Sequence, residues 1–185
     1  MGKKISYCLF TFLLIITVCH APIAFAEAIP QVKISVFNFG TLNLDASGYG
    51  TSVTNMLINF LGAERSLALL DRKELEAFLN LNDLQQNDDF DNVVNIGTKL
   101  GLYVIVVGSV EKKGSIISIN CKVINIEQKK AILNTRLRSF GDAGLMNEIR
   151  NLSSLIMQTI TNMDTKGPGP GEPPTLKGLP VITPN

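Results

Sequence analysis

The sequence has no tryptophan, one histidine and three cysteines in 185 residues. Most of these scarce residues fall in a segment that reads as a leader. Lys3 and Lys4 make a basic start, Leu9 to Val18 is apolar, and "AFAE" (24–27) places small residues at the two positions a signal peptidase reads. Residues 1–26 therefore read as a signal peptide cleaved after Ala26. A lipoprotein signal around Cys19 would need a small residue just before the cysteine and finds Val18 instead. A retained membrane anchor would need about 20 apolar residues, more than this stretch offers. The expectation is an exported protein of the periplasm, with association to the outer membrane as a further option.

Removing the leader takes Cys8, Cys19 and His20 with it, which leaves Cys121 as the one cysteine and no histidine at all. A zinc site built on Cys and His ligands loses its usual parts, and so does a serine or cysteine hydrolase with a histidine base. An intramolecular disulfide is excluded. The residues thus suggest a non-catalytic protein without cofactor, metal or catalytic site. Loss of two leader lysines also moves the formal charge from +1 to −1. Nothing in that balance suggests a nucleic-acid partner.

What remains is a clear hydrophobic pattern. Gln31 to Phe39 alternates Val32, Ile34 and Val36 with other residues, as a strand does, and "GTLNLDASGYG" (40–50) reads as a loop. Val53, Leu57, Phe60 and Leu61 recur at helical spacing over Tyr49 to Ala63, and "SLALL" (66–70) follows as a short strand. Asp71 with Glu74 has the form of a capping box opening a helix that carries Leu75, Phe78 and Leu79. After the polar break "NDLQQNDDF", Asp91 can cap the next helix and Gly101 can end it in a left-handed cap.

Leu102 to Val110 is apolar on both alternations, which suits an interior strand covered on both faces. "EKKG" (111–114) reads as a turn. Ser115 to Asn125 then returns with Ile117, Ile119, Cys121 and Val123 on one side and Ser118, Asn120 and Lys122 on the other. "EQKK" turns again, Ala131, Leu133, Thr135 and Leu137 continue a half-buried meander, and Asp142 caps a last helix striped by Leu145, Ile149, Leu152, Ile156 and Ile160. The fold class expected is α/β: one domain over 27–163, with two βα units, a three-stranded antiparallel meander in the same mixed sheet, and a C-terminal helix. Residues 164–185 hold most of the prolines and no period able to bury a core, so they read as a disordered tail or linker.

The combination "YGTSVTNMLINFL…LALLDRKELEAFL…NIGTKLGLYVIVVGSV" resembles the CsgG-like superfamily of bacterial envelope proteins, which includes curli-secretion, flagellar outer-membrane and LpoB-like domains. The likeness runs from Val32 to about Arg138. Its most telling pieces are Asp71-Arg72 with Leu75 three residues on, and the helix ending in Gly97 and Gly101 before a valine-rich strand closed by Gly108. The chain departs from that pattern at Leu81 and Asn82, where members often carry Glu-Gln. The resemblance implies assembly, secretion or regulation of an outer-envelope machine through an envelope protein partner or self-association. The alternative it implies is a subunit of a curli-type outer-membrane secretion channel. Turns as short as "EKKG" and "IEQKK" leave no room for membrane-spanning hairpins of about 9 to 11 residues per strand.

Each polar cluster also has a plain explanation. Asp71, Arg72, Lys73 and Glu74 fit capping and solvation better than acid–base work. Cys121 shares an alternation with core residues and reads as a buried, inert thiol. Gly48, Tyr49 and Gly50 match no phosphate-loop pattern and read as a flexible lead into the helix rather than an anion cradle. The candidate interaction patch is Lys122, Asn134, Arg136 and Arg138, which strand alternation places together on the outer face of the meander. An anionic lipid, a glycan or an acidic protein would suit it.

Overall fold

The computed structural model describes residues 31–163. The leader and tail readings lie outside those residues. The first strand, β1 (Val32–Val36), pairs in parallel with β3 (Leu67–Leu69) on one side and β4 (Val104–Lys113) on the other. From β4 the chain runs back as β5 (Ile116–Asn125) and out again as β6 (Lys130–Phe140), both antiparallel. The sheet order is β3-β1-β4-β5-β6, and a two-residue strand β2 (Gly40–Thr41) adds to β4. Helices α1 (Tyr49–Gly62), α2 (Arg72–Leu81), α3 (Phe90–Leu100) and α4 (Asp142–Thr161) pack on this mixed sheet. The expected α/β architecture is the one observed.

Two cores explain the two faces of the sheet. Val53, Leu57 and Leu61 of α1 and the Leu145, Ile149, Leu152, Ile156 and Ile160 stripe of α4 pack on Ile34, Val104, Val106, Ile117, Ile119, Cys121 and Val123. On the opposite face, Leu75 and Leu79 of α2 and Val93, Val94 and Ile96 of α3 pack on Phe37, Ile105, Val107 and Ile124. Val104 to Val107 are buried in succession because alternate side chains enter different cores. Gly97 lets α3 approach the sheet closely: a Cβ there would stand 2.6 Å from Ile126 Cδ1 and 3.0 Å from Ile105 Cδ1. Gly101 ends α3 at φ 62°, ψ 37°, the left-handed cap expected of it.

Several local expectations are corrected. Asp89, not Asp91, is the N-cap of α3, and its Oδ1 accepts from Asn92 N–H at 2.9 Å; Asp91 lies inside the first turn. Gly141 occupies the N-cap of α4, so Asp142 is the first helical residue and its carboxylate is free to act elsewhere. "EKKG" is mostly strand: Lys113 pairs with Ile116, and Gly114 and Ser115 alone make the turn. On the α2/α3 side this stretch of strand lies beyond the helical cover, while on the other side Lys112 bonds Tyr49 of α1. The second turn spans 126–129 and is held by Asn125 Oδ1, which accepts from Gln128 N–H at 2.7 Å. The segment 40–50 contains β2 and a short 3-10 turn, Leu44–Ala46, rather than an open loop.

Candidate interaction face

The helical cover on the α2/α3 side stops at Val107 and Ile124, and beyond it the same face of β4, β5 and β6 is polar as far as the row of Glu111, Ser118 and Arg138, and ends on Lys113 beside the exposed Ile116 and Phe140. Cross-strand pairing puts Lys122 beside Asn134, Asn120 beside Arg136 and Ser118 beside Arg138. One strand inward, these rows continue to Val107, Ser109 and Glu111. The four residues picked out by alternation, Lys122, Asn134, Arg136 and Arg138, are therefore brought onto one face, and all are exposed.

Glu111 is the member that sequence reading missed, because it was assigned to a turn. Its carboxylate accepts from Lys113 Nζ at 2.7 Å and from Arg136 Nη2 at 3.3 Å. The Lys113 hydrogen bond is the main force holding the Glu111 carboxyl below its ordinary value; partial burial opposes it, and the charges of Lys113 and Arg136 add to the lowering. Arg136 is thereby positioned by an anion. Among the described residues, Lys122 and Arg138 form no ion pair. With Lys113, the face carries four cations against one carboxylate.

The remaining candidates resolve into structure. Asp71 Oδ1 accepts from Lys73 N–H at 2.8 Å and Glu74 N–H at 3.4 Å, as a cap does. Arg72 Nη1 donates to Asn55 Oδ1 at 2.8 Å, which ties α2 to α1, and its Nε pairs with Glu76. Cys121 is fully buried, and burial pushes its thiol up to about 12. Gly50 has no room for a Cβ against the Phe39 carbonyl, so the first turn of α1 is pressed onto protein backbone. Tyr49 between the two glycines forms a clasp. Lys112 Nζ donates to its hydroxyl at 2.6 Å, and that hydroxyl donates to Asp142 Oδ1 at 2.6 Å. The Tyr49 hydrogen bond, with the nearby Asp142 charge, keeps Lys112 above its ordinary value. Asn43 docks on the Lys112 backbone through both amide atoms. The segment is thus held at both ends rather than left as a flexible lead.

Among the described residues, no three Cys, His, Asp or Glu side chains are grouped to hold a metal ion, and no helix is long and apolar enough to cross a membrane. No protein-family model and no curated protein matches the chain. In fold, the chain is similar to the LpoB C-terminal domain from Salmonella enterica, at 13% identity and TM-score 0.50, over 62% of this chain and 86% of that one. It is equally similar to the LpoB C-terminal domain from Escherichia coli, at 12% identity and TM-score 0.50, over 61% and 85%. The fold is LpoB-like.

Proposed function

We propose that this is a non-catalytic protein of the bacterial envelope that works by binding another envelope protein through the basic face of β5 and β6. The observation that carries the reading is the uncovered half of the sheet. A face left bare by its helices gathers Lys122, Arg136 and Arg138, with one carboxylate, Glu111, held beside them between Lys113 and Arg136. Such a face suits an acidic protein surface, because complementary charge speeds encounter and selects orientation. The LpoB-like fold and the leader-like start favour the periplasm as its place of action.

A curli-type channel subunit is the less favoured reading. Strands β4 and β5 are joined by two residues, and β5 and β6 by four. Neither connection carries an added pair of strands. A role in assembly or regulation needs only the face.

The test is affinity capture from cell envelopes with the wild type and with Lys122→Glu/Arg136→Glu/Arg138→Glu. The wild type should retain a partner in low salt that the triple variant loses. Equal capture by both would place the functional surface elsewhere.

A further inference from the structure

The basic face ends at an unfinished edge. Strand β6 closes the sheet order, so among the described residues its outer side pairs with no strand. It is eleven residues long, whereas edges that proteins merely protect tend to be short. Burial falls sharply across the last pair: Ile119, Cys121 and Val123 of β5 are fully buried, while Leu137, Thr135 and Leu133 opposite them are only half-buried. Beyond these half-buried side chains no further strand of the described residues continues the sheet. One more strand would complete both the backbone pairing and the cover over Leu133 and Leu137.

Charge selects the occupant. Residues 130–140 contain Lys130, Arg136 and Arg138 and no acid. A second copy pairing edge to edge would bring two such sets of cations onto one seam, and like charges across strands oppose pairing. An acidic strand would meet them favourably. We infer that β6 is a docking edge for an extended, acidic segment of a partner protein, which adds to the sheet as a further strand beside Arg136 and Arg138. This rests on the proposed role of the basic face and names the form in which the partner binds it.

A short synthetic peptide alternating glutamate with valine or threonine is the probe, read by hydrogen exchange of the β6 amides on the whole protein. Alternate amides of an antiparallel edge strand point away from their neighbour and should exchange fast in the free protein. The peptide should protect those amides. N-methylation of alternate peptide nitrogens, or lysine in place of glutamate, should abolish the effect, and Arg136→Glu/Arg138→Glu should weaken binding by at least about tenfold. Failure of the unmethylated acidic peptide to bind overturns the inference. So does equal binding of the methylated peptide with β6 still exchanging fast, which would place it on the sheet face and leave the proposed function standing. Concentration-dependent protection of β6 without peptide would assign the edge to a second copy and overturn it too. Failure of the face itself is read separately, from envelope capture by Lys122→Glu, whose site lies on β5 away from the edge.

Discussion

Cys121 lies between Ile119 and Val123 on the core side of β5, and burial alone pushes its thiol up to about 12. A thiolate is the reactive form, so native protein should label slowly with a thiol reagent and quickly once unfolded. Fast native labelling would mean that β5 is shifted by one residue and its faces exchanged. Glu111 offers a second check. Its folded carboxyl is held below the ordinary value of 4.5, so the stability it contributes is present above that value and is lost as pH falls through the lower folded one. Wild type should therefore melt above Glu111→Gln at neutral pH, and the gap should close in acid. A gap independent of pH would mean that the ion pairs contribute nothing. Sequence reading reached Cys121 because strand alternation has a period of two. It missed the cap at Asp89 because Asp89 and Asp91 are equally good capping residues, and the choice depends on where the backbone turns into the helix.

At the scale of elements, β4 shows what the sequence encodes well. Its run of Val104, Ile105, Val106 and Val107 has no polar alternation because both faces are covered. Val106→Asp would place an unpaired carboxylate among α1 and α4 side chains and should destabilise the domain by more than about 4 kcal/mol in chemical denaturation. Charge reversal at Lys122, Arg136 and Arg138 should cost less than about 1 kcal/mol at each position, since exposed charges contribute little whether or not they are paired. If the reversals unfold the protein as Val106→Asp does, the face is structural. The continuation of β4 through Glu111–Lys113 was not legible, because polar residues mark a turn and an uncovered strand alike. Only the pairing of Lys113 with Ile116 separates the two.

Over residues 31–163 the protein is a sheet with one face clothed by α1 and α4 as far as the half-buried Leu133 and Leu137 of β6, and the other clothed only as far as α2 and α3 extend. Periodicity predicted the four helices, the five longer strands and their order, but not the two-residue β2 or the short 3-10 turn after it. It could not show where α2 and α3 stop across the sheet, because that depends on contacts distant in sequence. The basic residues were found from alternation on β5 and β6, whereas their organisation around Glu111 emerged only when three strands were laid side by side. That bare, cationic half-face carries the central functional proposal. Its most direct test is a photo-cross-linking residue at Asn134, amid Lys122 and Arg136, compared with one at Thr51, exposed on α1. In intact envelopes, cross-linking to a partner protein from Asn134 and not from Thr51 is the expected result. Partner cross-links from Thr51 with none from Asn134 would contradict the proposal.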